Sequence, residues 1–242
     1  MDRRRAETAP RRPAAFHCGW LLDGGGAGPR RDVVLTVAGG RIDAIFPAAE
    51  GCQGLKPVDW RAFTVLPPLV DAHVHLFLPG CDSIEHGFFM GEANMERMAA
   101  RGTVWVPTAG TMAGCLDVLA AGSPEADGAR RLLDHQVGQL ARARELGVTV
   151  AAGTDAGSPG VRHGRAMAVE LGLMSAAGYS LGETVRCAAV HGARLLGLSR
   201  SGVLQPGAWA DFIAVAGPPE ALWGSLEQVQ AVYCKGLAVD LS

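Results

Sequence analysis

Short apolar runs separated by glycine dominate both ends of the chain. The segment "DVVLTVAGGRIDAIF" (32–46) holds two strand-like runs on either side of Gly39 and Gly40. The same character returns in "GVLQPGAWADFIAVAG" (202–217) and "AVYCKGLAVD" (231–240). We therefore predict that residues 1–64 and 201–242 pair in a small β-sandwich built around a central insert.

The central part, residues 65–200, has a different pattern. Two short apolar runs, "TVWVPT" (103–108) and "VTVAAGTD" (148–155), read as buried strands. Helical periodicity fills the sequence between them, and a second helix is predicted to begin at Ser180, where Glu183 completes a capping box. Strands that alternate with helices predict a parallel α/β core.

Composition and charge narrow the class of protein. The 242 residues are 48% hydrophobic with 33 glycines, which suits an enzyme-like globular domain. The net charge of −2 predicts neither nucleic acid nor an anionic membrane as a partner, and no apolar run is long enough to span a membrane. Six well-separated cysteines favour reduced thiols and a cytoplasmic location. The basic opening, residues 1–13, reads as a disordered tail.

Four residues are candidates for chemistry. His73 and His75 are two apart on a predicted strand, so both side chains leave the same face. His86 and Asp155 each follow a strand-like segment, and the carboxyl ends of parallel strands converge on one mouth. Taken singly, each residue also has a purely structural explanation, such as a helix cap for Asp155. Together they form a donor set that zinc, manganese or iron would bind.

The pattern does not make Glu85 a candidate ligand. It directly precedes His86 in "IEHG". Since neighbouring side chains on a strand point to opposite faces, we expect Glu85 to face away from the site.

Four segments together carry a family resemblance, and they occur in the order 65–76, 81–89, 148–160 and 202–215. They read "VLPPLVDAHVHL", "CDSIEHGFF", "VTVAAGTDAGSPG" and "GVLQPGAWADFIAV". The combination resembles the amidohydrolase superfamily, most closely its imidazolonepropionase- and dipeptidase-like branch. The resemblance implies a metal-dependent hydrolase with a (β/α)8 barrel and a β-sandwich formed by the chain ends.

The resemblance also assigns the site residues to barrel strands. It implies that His73 and His75 close the first strand, His86 the sixth and Asp155 the eighth, so strands two to five are missing. Independently, the core of about 140 residues holds four or five strand-helix units at about 30 residues each. The expected fold is therefore α/β, with a partial TIM-barrel-like core of about four units.

By the same resemblance, a binuclear site bridged by a carboxylated lysine is excluded. Only Lys56 and Lys235 are lysines, and both lie in the sandwich segments. One divalent ion is expected, with zinc the best fit and manganese or iron the alternatives. His73, His75 and Asp155 would bind it, with His86 as a further ligand or orienting the attacking water, and Asp155 as general base.

Two functions of different class remain open. The first is hydrolysis of C–N bonds in small amides, cyclic amides or dipeptides by metal-activated water, with His163 as a weaker candidate for substrate contact. The second is a catalytically inactive remnant or partner protein that binds metal weakly or not at all. A homodimer in which two shortened cores complete one barrel is compatible with the first.

Overall fold

The computed structural model describes residues 14–52, 54–73 and 82–241. His75 and the predicted tail, residues 1–13, lie outside the described residues. Both chain ends contribute strands to one sheet. Its strands in the described residues are β1 (Ala14–Leu21), β2 (Arg30–Ala38), β3 (Arg41–Pro47), β4 (Val58–Leu66), β7 (Phe212–Ala216), β8 (Val229–Cys234) and β9 (Leu237–Ala238). They form a seven-stranded sheet with the order β3-β2-β1-β4-β7-β8-β9.

The two ends meet where β4 pairs antiparallel with β7, from Phe63 opposite Ala216 to Leu66 opposite Ile213. Pairing of β1 with β4 is parallel, and the remaining pairs in the sheet are antiparallel. Four aromatic rings from different strands pack together in its core, namely Phe16, Trp60, Phe212 and Tyr233. Burial of such large rings is what joins segments so distant in sequence.

The segment between the two chain ends contains further short strands and the longer helices. Strands β5 (Ser83–Glu85) and β6 (Val104–Val106) pair in parallel, and Val150 bridges in parallel to Trp105 of β6. On the other side, the N–H of Ala72 donates to the carbonyl of Ala152 at 3.0 Å. Four strand-like segments therefore lie side by side in the order 70–72, 149–152, β6, β5.

The helices of the described residues follow in chain order. They are α1 (Glu92–Arg101), α2 (Gly110–Val118), α3 (Pro124–Glu145), α4 (Ala166–Ala176), α5 (Leu181–Arg186), α6 (Gly192–Leu195) and α7 (Leu222–Ser225), and a π-helical turn (Cys187–His191) joins α5 to α6. The predicted capping box at the start of α5 is confirmed, because Ser180 and Glu183 exchange both hydrogen bonds. None of the helices in the described part of the chain has the length and apolarity needed to cross a membrane.

The core beneath the helices is centred on Trp105, whose side chain is fully buried. Trp105 packs with Leu140 of α3 and with Leu171 and Met174 of α4. Its indole N–H donates to the carbonyl of His86 at 2.8 Å, which ties the end of β5 to β6. The packing of the core thus fixes the backbone at the point where the candidate site residues begin.

Candidate functional site

Side chains that follow three strand-like segments of the small sheet meet at one point. His73 follows the segment 70–72, His86 follows β5 and Asp155 follows the segment that pairs with β6. All three residues are partly buried, and their possible ligand atoms all lie within 4.8 Å of one another. The convergence predicted for these three residues is therefore present, whereas His75 cannot be placed because it lies outside the described residues.

Left-handed backbone conformations end these strands. His86 has φ 60°, Thr108 has φ 49° and Asp155 has φ 51°. In residues other than glycine this conformation costs on the order of 1–3 kcal/mol, and it persists where the surrounding structure over-determines it, often at functional sites. Each positive φ breaks the alternation of the preceding strand and redirects the side chain at its end.

The expectation that Glu85 faces away from the site was wrong for this reason. The left-handed turn at His86 lets two consecutive side chains approach His73. The Glu85 carboxylate lies 2.9 Å from Nδ1 of His73, and the rings of His73 and His86 are 4.8 Å apart between centroids. The sequence signal was present as the acid beside the histidine in "IEHG", but strand alternation was the wrong rule to apply to it.

His73 is held from both sides of its ring. Its Nδ1 contacts Oε2 of Glu85, and its Nε2 lies 3.3 Å from Oδ1 of Asp155. Ser83 donates a hydrogen bond of 2.8 Å to the other oxygen of Glu85. The side chains of His73 and Glu85 are only 6% and 2% exposed, so these contacts are made away from bulk water.

His86, like His73, is held at Nδ1 of its ring, in this case by Thr108. Nδ1 of His86 lies 2.7 Å from Oγ1 of Thr108, and this hydroxyl donates its proton to the carbonyl of Pro107 at 2.8 Å. A hydroxyl has one proton, so it must accept at His86, and Nδ1 of His86 carries the hydrogen. A neutral His86 then has its lone pair on Nε2. Sequence reasoning missed Thr108, although it ends the predicted strand 103–108.

The donor set fits a divalent metal ion. Two zinc ligands at about 2.1 Å in tetrahedral geometry lie about 3.4 Å apart. The 3.3 Å between Nε2 of His73 and Oδ1 of Asp155 matches that spacing. Imidazole nitrogen and carboxylate oxygen are the ligand types that zinc, manganese and iron accept.

Close backbone packing brings His73 to this position. A Cβ atom added at Gly153 would overlap Cγ1 of Val106 and would lie 2.9 Å from Cβ of His73. Glycine is therefore required on the strand-like segment directly beside the site. The strand ends approach one another more closely than any side chain at position 153 would permit.

Glu170 of α4 fixes the start of α2, immediately after Thr108. Its fully buried carboxylate accepts the N–H groups of Ala109 (3.2 Å) and Gly110 (2.7 Å). Burial raises the pKa of Glu170 to about 7, although these two donors act in the opposite direction. This contact holds the turn that presents Thr108 to His86.

His163 does not join the three converging residues. It lies exposed in the loop after Asp155 and lines a neighbouring cleft of about 330 Å³ together with Asp71, Thr154, Met167 and other residues. Asp71 is directed to Thr154, whose backbone N–H (3.0 Å) and hydroxyl donate to it. A substrate contact by His163 stays a prediction.

Comparisons with known proteins agree with this arrangement. An uncharacterized protein of Mycobacterium tuberculosis is 34% identical over 174 residues, which is 71% of this chain and 44% of that protein. An N-acyl-D-aspartate deacylase of Alcaligenes xylosoxydans xylosoxydans is 29% identical over 107 residues, 44% of this chain and 20% of that protein. The chain thus spans less than half the length of the curated relatives it matches.

The fold resembles that of a Xaa-Pro dipeptidase whose crystal structure contains methionine in its active site. The TM-score is 0.76 at 18% identity, covering 95% of this chain and 100% of that one, so the likeness concerns the fold. The fold is accordingly mixed α/β and similar to that of amidohydrolase TIM-barrel proteins. The sequence profile described as Amidohydrolase family matches residues 80–239, well over half of the chain. The chain therefore belongs to the amidohydrolase family.

Proposed function

We propose that this protein hydrolyses C–N bonds of small amide substrates with the help of one divalent metal ion, most suitably zinc. His73, His86 and Asp155 would hold the ion, and His75 would complete the donor set. The observation that carries the proposal is the approach of Asp155 to Nε2 of His73 at 3.3 Å, while Nδ1 of that ring faces Glu85. A carboxylate oxygen and a ring nitrogen whose proton lies on the other side both favour a cation between them.

The chain's own residues suit the proton transfers of hydrolysis. When bound, a divalent ion polarises the amide carbonyl and lowers the pKa of water. Asp155 would accept the proton of the attacking water and deliver it to the departing nitrogen. Its Oδ2 accepts a 2.8 Å hydrogen bond from Ser158, which orients the carboxylate with Oδ1 toward His73. His86, held by Thr108, would bind the ion or orient the water.

The substrate class is proposed as amides, cyclic amides or dipeptides. Family membership and the resemblance to a deacylase and, in fold, to a dipeptidase support this class, since both names describe cleavage of an amide bond. The cleft beside Thr154, with apolar Met167 and Ile213 in its wall, would accommodate an uncharged part of such a molecule.

For the architecture, we propose a shortened barrel of about four strand-helix units with a sandwich-like domain from the chain ends. Support comes from the four adjacent strand-like segments ending at β5 and from the aromatic core of the larger sheet. A second copy of the chain that completes the barrel is part of this proposal. Light scattering over a range of concentrations tests it, because a mass that stays monomeric would contradict the dimer.

Metal analysis is the first test of the function. We expect about one zinc, manganese or iron per chain in gently purified protein, measured by inductively coupled plasma mass spectrometry. His73→Ala and Asp155→Ala should lose the metal, whereas the matched control His163→Ala should retain it. Metal loss should abolish turnover of N-acyl amino acids, cyclic amides or dipeptides.

Equal metal content in all three variants would contradict the ligand assignment. A soluble wild-type chain that binds no added zinc and cleaves no amide would instead favour the inactive remnant. Asp155→Asn separates the catalytic role of Asp155 from its contribution to stability, because asparagine keeps the shape of the side chain but cannot act as a base. Turnover should then fall far more than the free energy of unfolding, and wild-type turnover in this variant would exclude Asp155 as the base.

A further inference from the structure

Glu85 is a buried acid beside the candidate metal centre that the proposed reaction does not itself use. Its side chain is 2% exposed, and the hydrogen-bond donors found for it are Ser83 and His73. We propose that Glu85 is a positioning residue, which fixes the ring orientation and the tautomer of His73 so that Nε2 faces Asp155. This inference rests on the proposed function of the site.

The chemistry of the contact determines where the proton lies. A carboxylate oxygen accepts the hydrogen bond from the ring, and the 2.9 Å contact then places the hydrogen on Nδ1 of His73. In a neutral imidazole the lone pair is then on Nε2. That nitrogen lies 3.3 Å from Asp155, on the side of the ring where the donor atoms converge. Without Glu85 both tautomers become accessible, and only one presents a lone pair to the ion.

The support for Glu85 is itself rigid. Ser83 and Glu85 are two apart on β5, so their side chains share a face, and the hydroxyl donates to Oε1 of Glu85 at 2.8 Å. Strand β5 pairs with β6, and Trp105 donates to the carbonyl that follows Glu85. Both carboxylate oxygens are thus occupied, and the chain Ser83, Glu85, His73 leaves the ring little freedom to rotate.

A Glu85–His73 pair with only a stabilising role would show the same distances. The test therefore needs measurements that respond to the orientation and tautomer of His73. The first is the tautomer of His73 in metal-free protein, read at pH 8 from the ¹⁵N shifts of its ring. The second is zinc affinity, measured in competition with a chelating dye. Unfolding by urea is followed in parallel to report on stability alone.

Three variants give the contrast. Glu85→Ala removes the acceptor, and Glu85→Gln keeps the shape but offers a weaker acceptor and a competing donor. Glu145→Ala is the matched control, because Glu145 is an exposed acid paired with Arg142 at 2.7 Å on α3. We expect Glu85→Ala to weaken zinc binding by about 10- to 100-fold. Glu85→Ala should also give a mixture of His73 tautomers. Glu85→Gln should give a zinc affinity and a tautomer ratio between those of Glu85→Ala and wild type. Glu145→Ala should match wild type in both.

The inference is overturned if Glu85→Ala keeps both the Nδ1–H tautomer and wild-type zinc affinity. If Glu85→Ala does not fold, Glu85→Gln decides, and an unmixed tautomer with unchanged affinity would overturn it. Failure of the proposed function is recognised separately. If wild type binds no zinc, that function fails, while loss of the Nδ1–H tautomer in the variants would still support the positioning role.

Discussion

The buried acid Glu170 leads to a quantitative prediction about stability and pH. Its carboxylate is fully buried against the first N–H groups of α2, and its pKa is raised from an ordinary 4.5 to about 7. Because the folded-state pKa is the higher one, the folded protein binds the extra proton between these values. Stability from this group is therefore fully present below pH 4.5 and is lost as pH rises through 7.

The magnitude follows from the two pKa values. Each pKa unit corresponds to about 1.4 kcal/mol, so Glu170 lowers the free energy of unfolding by about 3 kcal/mol between pH 4.5 and pH 8. Glu170→Gln is neutral at every pH and removes this dependence. In this variant the N–H group of the new side-chain amide faces a backbone N–H group. The unpaired donors lower the free energy of unfolding by about 1–3 kcal/mol at both pH values.

Urea unfolding of metal-free protein, followed by tryptophan fluorescence, measures the effect at pH 4.5 and pH 8. From pH 4.5 to pH 8 the free energy of unfolding of Glu170→Gln should rise by about 3 kcal/mol relative to that of wild type. Other groups titrate equally in both proteins, so their contributions cancel in this difference. Glu183→Gln is a control of opposite sign. Partial burial acts to raise the pKa of Glu183, but the contacts from Ser180 and Arg144 outweigh it and lower the pKa. The stability contributed by Glu183 is thus lost as pH falls below its ordinary pKa of 4.5, so the difference between Glu183→Gln and wild type should develop mostly below pH 4.5, with little change between pH 4.5 and pH 8.

A stability difference between Glu170→Gln and wild type that stays constant from pH 4.5 to pH 8 would refute the reasoning. It would mean that the two backbone donors keep Glu170 ionised throughout this range.

Three further changes test the packing and contacts around the site. Thr108→Val removes the acceptor for His86 and should weaken zinc binding about 10- to 100-fold in dye competition, while Thr108→Ser should restore it. Gly153→Ala forces a Cβ against Val106, so thermal unfolding should show a loss of about 1–3 kcal/mol, together with lower zinc content; unchanged values would contradict the close approach. Ser180→Ala removes the N-cap of α5 and should cost about 1 kcal/mol in urea unfolding without changing metal content.

Several features of the fold could be predicted from local sequence. Glycine-separated apolar runs predicted the strands at both chain ends, and the spacing of Ser180 and Glu183 predicted the start of α5. The short apolar runs 103–108 and 148–155 likewise predicted β6 and the neighbouring segment. These features depend on hydrogen bonds and periodicities within a few residues, so they are visible without tertiary structure.

The site was only partly predictable. Strand-end positions predicted that His73, His86 and Asp155 would meet, and they lie within 4.8 Å, while their roles and that of His75 stay predictions. Glu85 and Thr108 were missed, because their roles depend on left-handed turns that the rule of alternating strand faces does not include.

The types of element, the family and the possible ligands could be read from the amino-acid sequence, because they reside in local patterns and residue chemistry. Which nitrogen of each histidine is held depends on tertiary packing, since Glu85 and Thr108 reach the rings through contacts across strands. The same packing lets Glu170 support the start of α2 from a helix sixty residues away. Such contacts follow from how the strands and helices pack, and no local pattern encodes that packing.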